Sequence, residues 1–93
     1  MEDRITKEKI EKYFKLTSTA LNEVKKHVIK GNESQAKEII KMAENYLSDA
    51  GYFEKKGDFV NAFAALNYAH GWIDSGARLG IFDVKDNKLF TIR

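Results

Sequence analysis

The stretch that decides the fold is GDFVNAFAALNYAHGWIDSGARLG, from Gly57 to Gly80. Between its bounding glycines only Asp58, Asp74 and Arg78 are charged, so a helix formed here is apolar on nearly every side. Gly57 can end a preceding helix, and Asp58 is a strong candidate for the N-cap of the next one. The stretch therefore predicts a central third helix, over about residues 59–79, that the rest of the chain must cover.

The first segment of the chain has the pattern of a helix with one buried stripe. Apolar or tolerant residues recur at alternating steps of four and three, which is the seam spacing of a helical bundle. They are Ile10, Phe14, Thr17, Leu21, Val24 and Val28. Thr6 is the predicted N-cap, and Gly31 is predicted to end the helix because glycine readily adopts the left-handed conformation. These signals predict helix one over about residues 6–30.

The second segment repeats the pattern with smaller residues. Its stripe consists of Ala36, Ile39, Ala43, Tyr46, Ala50 and Phe53, and the opposite face carries Lys and Glu. Asn32 is the predicted N-cap, with Gln35 in the position of a capping-box partner. We therefore expect helix two over about residues 33–56, antiparallel to helix one across a tight turn.

The three segments predict an all-α fold in which residues 1–93 form a single domain, a three-helix up-and-down left-handed bundle. The tail, residues 81–93, alternates apolar and polar residues around Asp86-Asn87, the pattern of a short extended or hairpin segment. Its apolar residues are expected to pack over the end of the bundle: Ile81, Phe82, Val84, Leu89 and Phe90. Disorder of the last few residues is the alternative.

Composition limits the function classes. The chain has 93 residues, no cysteine and a net charge of +2, so disulfide frameworks and thiolate zinc sites are excluded. No stretch approaches the roughly twenty apolar residues of a membrane span, and the N-terminus lacks the apolar core of a signal peptide. We expect a cytoplasmic protein with no membrane partner and no cofactor.

Helix three carries more apolar surface than one bundle easily buries. A line of large residues is suited to the bundle interior, and a second line is made of small residues that allow another backbone to approach. Gly71 in mid-helix likewise predicts a tight crossing. Surplus apolar surface usually marks an association site. We therefore expect a non-enzymatic protein–protein interaction or self-association module that forms a homodimer or binds a protein partner. The predicted interaction surface is Ala62, Ala65, Tyr68, Ala69, Trp72 and Gly76.

A polar cluster of Asn67, His70, Asp74 and Arg78 follows one strip of the same helix. It could be a general acid/base pair with an anion-binding arginine, which would make a small-molecule or catalytic site. The favoured interpretation is an ion pair from Asp74 to Arg78, with His70 satisfied by Asp74 or by a main-chain carbonyl. No nucleophile or phosphate-binding loop accompanies the cluster, so no catalytic residue is assigned. A metal site is not expected either, because the only other histidine, His27, is far away in sequence.

Helix one suggests a second function class. From Arg4 to Lys30 there are eight Lys or Arg against three Glu, which could track nucleic-acid phosphates. A nucleic-acid interface would gather its lysines on one face, however, and these are interrupted by Glu8, Glu11 and Glu23. A solvated face is the favoured interpretation, and nucleic-acid binding through Lys12, Lys15 and Lys26 is the alternative.

The run YLSDAGYFEKKGDFVNAFAALNYAHGWIDSGARLGIFDV, from Tyr46 to Val84, resembles the signature of a small archaeal family of unknown function, domain of unknown function three-five-seven. The segment from Gly57 to Gly80 is the specific part of this signature, whereas helix one matches only in character. The resemblance implies a three-helix, up-and-down, left-handed bundle and an archaeal origin. It implies no activity.

Overall fold

The computed structural model describes residues 4–86 and 88–90. It contains three helices, α1 (Lys7–Lys26), α2 (Glu33–Lys55) and α3 (Phe59–Arg78). The helices pack against one another in up-and-down order, and no β-strand is present in the described ranges apart from one isolated bridge. The predicted all-α bundle is confirmed, while its left-handed twist stays a prediction.

The core consists of two clusters at opposite ends of the bundle. One joins the start of α1, the end of α2 and the start of α3, with Ile10, Ala50, Ala62 and Leu66 at its centre. The other joins the opposite helix ends and includes residues of the tail: Ala20, Leu21, Val24, Ala36, Ile39, Ala43, Ile73, Phe82 and Phe90. The buried stripes predicted for the first two helices supply most of these residues, because a 3.6-residue repeat places them on one face.

Two of the three predicted helix caps are confirmed. Thr6 Oγ1 accepts a hydrogen bond from the Lys9 amide at 3.1 Å, and Asp58 Oδ1 accepts one from the Asn61 amide at 3.2 Å. The capping box predicted for α2 is wrong. Asn32 precedes the helix but makes no side-chain cap; its Nδ2 donates to Gly80 O at 3.3 Å. Asn32 therefore ties the turn between α1 and α2 to the end of α3.

Helix α1 ends at Lys26, four residues earlier than the predicted end at Lys30. The next residues pair with the tail instead: the Ile29 amide donates to Ile81 O at 3.0 Å, and the Asp83 amide donates to His27 O at 2.8 Å. Val28 and Phe82 face each other in the antiparallel bridge between these two bonds. The tail thus forms hydrogen bonds with the backbone amide and carbonyl groups that another turn of α1 would have used. The chain turns only afterwards, at Gly31, whose φ is 99°.

The tail packs over the bundle end as predicted. Phe82 is 2% and Phe90 3% exposed, and Ile81, Val84 and Leu89 pack against the same cluster. A turn at Asp86 brings the chain back, since Asp86 O accepts from the Leu89 and Phe90 amides. Whether the tail forms a hairpin or ends in disorder depends on residue 87 and residues 91–93, which lie outside the described residues.

Candidate functional site

The small residues that were predicted to contact a partner divide into two groups. Four of them form the inner line of α3, namely Ala62, Ala65, Ala69 and Gly76, and all four are buried within the chain. A Cβ at Gly76 would collide with the Phe82 ring and lie 3.0 Å from Ile39 Cδ1. The chain's own helix α2 and tail therefore occupy the space that these residues leave. The predicted interaction surface is corrected to exclude the inner line.

Tyr68 and Trp72, the other two predicted contact residues, lie on the opposite side of the helix. We define the outer face of α3 by six residues that the helical repeat places there and that are all exposed and uncharged: Val60, Ala64, Tyr68, Gly71, Trp72 and Ser75. Val60 is 68%, Tyr68 62% and Trp72 36% exposed. Among them, Ala64, Gly71 and Ser75 form a second line of small residues at steps of seven and four, the outer line of α3.

Gly71 does not mark the tight crossing that the sequence predicted. A Cβ built on it would meet nothing within 4 Å, so no other part of the described chain approaches it. It forms instead the floor of a depression of about 340 Å³, lined also by Asn67, Tyr68, Trp72 and Ser75. We call this depression the outer notch.

Local contacts hold the rim of the outer notch. The Tyr68 ring stacks on Tyr46 of α2, with centroids 5.3 Å apart. Ser75 Oγ donates to Gly71 O at 2.8 Å, so its hydroxyl is already bonded within the helix. One side of the notch is therefore an aromatic ring held against α2. The Ser75 hydroxyl on the other side already has its hydrogen bond within the helix.

His70 is held from both sides of its ring. Its Nε2 lies 2.7 Å from Leu89 O, and its Nδ1 lies 3.1 Å from Thr17 Oγ1. A carbonyl oxygen only accepts, so Nε2 carries a proton and donates to Leu89 O, while Nδ1 and the Thr17 hydroxyl bond each other. Asp74 Oδ1 lies 3.6 Å from Nε2. His70 thus joins α1, α3 and the tail, as the favoured interpretation with a main-chain carbonyl partner predicted.

The remaining members of the polar cluster do not gather around His70. Arg78 is exposed at the end of α3, and its ion pair with Asp74 stays a prediction. Asn67 is also exposed and lines the outer notch. The structure therefore brings together His70 and Asp74, whereas Asn67 and Arg78 are exposed.

A second depression, the α1–α3 groove, lies beside the outer notch and shares Asn67 and Gly71 with it. Its volume is about 330 Å³. The lining comes from α1, α3 and the tail: Tyr13, Leu16, Thr17, Leu66, Asn67, His70, Gly71, Asp74, Lys88, Leu89 and Phe90. Sequence reasoning missed Lys88 and Leu89 at this site, because no local pattern shows that the tail returns to α3.

Two lysines lie next to aromatic rings at the end of the groove. Lys9 Nζ is 5.2 Å from the Phe63 ring centroid, and Lys12 Nζ is 6.0 Å from that of Tyr13. The Tyr13 and Phe63 rings meet edge to face across α1 and α3, 5.3 Å apart. The outer line of α3 could have been predicted from its spacing in the sequence. The contacts between these lysines and rings could not, because they form only when α1 and α3 pack together.

The described residues contain no group of three His, Cys, Asp or Glu side chains placed to hold a metal ion. None of their helices is long and apolar enough to cross a membrane.

Comparison with known proteins gives one result. Neither a curated protein nor a solved structure significantly matches the chain. A family model, Protein of unknown function (DUF357), matches residues 12–82, which include α1 from Lys12 onward and the whole of α2 and α3. The chain therefore belongs to the DUF357 family of proteins of unknown function.

Proposed function

We propose that this protein is a non-enzymatic interaction module that self-associates through the outer face of α3. The observation that carries the proposal is the exposure of Val60, Tyr68 and Trp72 on a face whose charged residue, Arg78, lies at the C-terminal end of the helix, five turns from Val60. The exposed faces of α1 and α2, by contrast, carry many Lys and Glu residues. An exposed face with aromatic residues and little charge has the composition of the buried centre of a protein interface.

A second copy of the chain fits this face. Two identical, highly charged faces would repel each other, whereas two faces that each carry one arginine at the end of the helix meet at a smaller cost. The outer face also carries both a projection and a recess, since Trp72 and Tyr68 stand beside the outer notch at Gly71. In a two-fold dimer each protomer can place an aromatic ring against the small residues of its partner, because the same patch serves both sides.

The size of the face predicts weak association. Helix α3 has 20 residues, so it is about 30 Å long, and a strip about 10 Å wide covers roughly 300 Å². A stable dimer buries about 800 Å² on each partner. Tyr46 and its neighbours on α2 can add to the contact without reaching that area. The expected dissociation constant is therefore micromolar or weaker.

The geometry of the polar cluster supports a role without catalysis. Both ring nitrogens of His70 are already bonded, to Leu89 O and to Thr17 Oγ1. A general base needs a nitrogen within reach of a substrate proton. Arg78, the anion-binding member of the catalytic interpretation, is exposed at the end of the helix, eight residues after His70.

Sedimentation equilibrium over about 10 µM to 1 mM protein, the range set by the expected micromolar or weaker affinity, tests the proposal. The matched variants are Ser75→Glu, on the outer face of α3, and Ser48→Glu, on the exposed face of α2. Both introduce one carboxylate at an exposed helical serine. We expect the wild type and Ser48→Glu to dimerise and Ser75→Glu to stay monomeric. A monomeric wild type at the highest concentration, or a Ser75→Glu variant that dimerises normally, would overturn the proposal.

A further inference from the structure

The exposed residues between Val60 and Leu79 are arranged symmetrically about the middle of α3, between Ala69 and His70. Each exposed residue on the N-terminal side of this point has an exposed counterpart at the same distance on the C-terminal side. From the centre outward the pairs are Tyr68 with Gly71, Asn67 with Trp72, Ala64 with Ser75, Asn61 with Arg78, and Val60 with Leu79. The helical repeat accounts for the symmetry in exposure. It does not account for the side chains that are paired.

The central pair joins a projection to a recess. The Tyr68 ring is 62% exposed, and its stacking on Tyr46 holds it in place. A Cβ built on Gly71 would meet nothing within 4 Å, so the outer notch has room for a ring. In a pair of antiparallel α3 helices centred on the midpoint, Tyr68 of each protomer lies at the level of Gly71 of the other.

The pairs further out are also compatible. Val60 and Leu79 are both exposed apolar side chains, so that each covers the other at the ends of the contact. Ala64 and Ser75 are both small and allow the two helices to approach closely. The same strip therefore serves as both halves of the contact, as a two-fold dimer requires.

Arg78 favours the antiparallel orientation over the parallel one. In a parallel two-fold pair identical residues lie opposite each other, so the two Arg78 side chains would be adjacent. In the antiparallel pair they lie at opposite ends, about 26 Å apart along the helices, which is well beyond the Debye length of about 8 Å at physiological salt. Each Arg78 then lies at the level of the partner's Asn61, whose side chain is bonded to the carboxylate of Asp58. A cation near the acidic start of the partner's helix is attracted to it.

We propose that two copies of the chain associate through α3 as an antiparallel pair whose two-fold axis passes between Ala69 and His70. The inference rests on the self-association proposed above and adds its orientation and register. In this register the contact extends along the whole helix from Val60 to Leu79, about 30 Å. That length matters because the outer face is small compared with the area that a stable dimer buries.

Cysteine cross-linking tests the register, since the chain has no cysteine of its own. The two test variants are Ala64→Cys and Ser75→Cys, both at exposed small residues, and one of them carries a tag so that the products differ in mass. They are mixed in equal amounts and exposed to a mild oxidant. The control mixture combines Ala64→Cys with Ser48→Cys, at an exposed serine of α2. Circular dichroism and sedimentation equilibrium under reducing conditions check that each variant is folded and dimerises.

Positions 64 and 75 of the two protomers lie opposite each other in the proposed register. Two copies of position 64, or of position 75, lie about 16 Å apart along the helices, whereas a disulfide requires Cα atoms within about 7 Å. We therefore expect the mixed disulfide to form at least about fivefold faster than either self-linked product. It should exceed the mixed product of the control by a similar factor.

Two cross-linking results would overturn the inference while leaving self-association intact in variants that dimerise under reducing conditions. Self-linking of Ala64→Cys and of Ser75→Cys at least as fast as mixed linking would assign a parallel pair. A mixed product no faster than that of the control would assign a different register or surface. A wild type that stays monomeric in sedimentation equilibrium would instead overturn both the register and the proposed function.

Discussion

Helix α3 carries two lines of small residues, of which one is buried and the other is exposed. The inner line of Ala62, Ala65, Ala69 and Gly76 is buried, and Phe82 of the tail packs against Gly76. The outer line of Ala64, Gly71 and Ser75 is exposed, and nothing in the described chain approaches Gly71. Small residues allow close approach in both lines, but only the inner line is covered by the chain itself. Whether a line of small residues is buried or exposed therefore depends on which other elements of the chain pack against it.

The strongest test of this comparison introduces the same charge into each line. Ala69→Glu buries a carboxylate at a position that is 0% exposed, so we expect it to lower the free energy of unfolding by about 4 kcal/mol or more. Ala64→Glu adds the carboxylate at an exposed position and should change stability by less than about 0.5 kcal/mol. Urea denaturation followed by circular dichroism measures both. Equal denaturation midpoints for the two variants would show that the two lines do not differ in burial.

The next test removes what covers the inner line. Phe82 is 2% exposed against Gly76, and Phe82→Ala is expected to lower the free energy of unfolding by about 3–5 kcal/mol. Leu79, three residues earlier, is 75% exposed, so Leu79→Ala should have an effect within about 0.5 kcal/mol. Thermal unfolding of the two variants compares them. A mild effect of Phe82→Ala would mean that the tail contributes little to the core.

Alanine at the two glycines should change stability in opposite directions. At Gly76 the new methyl group meets the Phe82 ring and Ile39, and overpacking of this kind costs about 1–3 kcal/mol, less about 1 kcal/mol gained in helix propensity. At Gly71 the methyl group meets nothing, so Gly71→Ala should stabilise by about 0.5–1 kcal/mol. Urea midpoints give the signs. Stabilisation by Gly76→Ala would contradict the close packing of the inner line.

The smallest expected effect concerns His70, which lies on α3 between the two lines. Thr17→Val keeps the shape of a buried side chain and removes its hydrogen bond to His70 Nδ1, so we expect a loss of about 1 kcal/mol in unfolding free energy. Thr19→Val removes an exposed hydroxyl bonded to Lys15 O within α1 and should change stability by less than about 0.5 kcal/mol. Chemical denaturation of both variants measures the difference. Equal effects would mean that the hydrogen bond between α1 and α3 adds no stability.

Much of the site could be foreseen only in outline. Tyr68 and Trp72 were identified as surplus apolar surface, and both are exposed. The small residues assigned to accompany them were those of the wrong line, because both lines have helical spacing and the sequence contains no sign of which one α2 covers. His70 was expected to bond Asp74 or a main-chain carbonyl. The carbonyl is that of Leu89 in the tail, whereas the second bond, from Thr17 on another helix, was not predicted.

The sequence by itself determined the three helices, their seams and two of their caps, because these depend on local periodicity and on hydrogen bonds within one turn. Tertiary structure alone decided that α1 ends at Lys26, that Asn32 bonds Gly80 instead of capping α2, and that Lys88 and Leu89 complete the α1–α3 groove. The first and the last of these outcomes depend on the tail returning to α1 and α3, and the second depends on the end of α3 lying beside the turn between α1 and α2. Contacts between residues so far apart in sequence arise from packing the whole chain, and no local pattern specifies them.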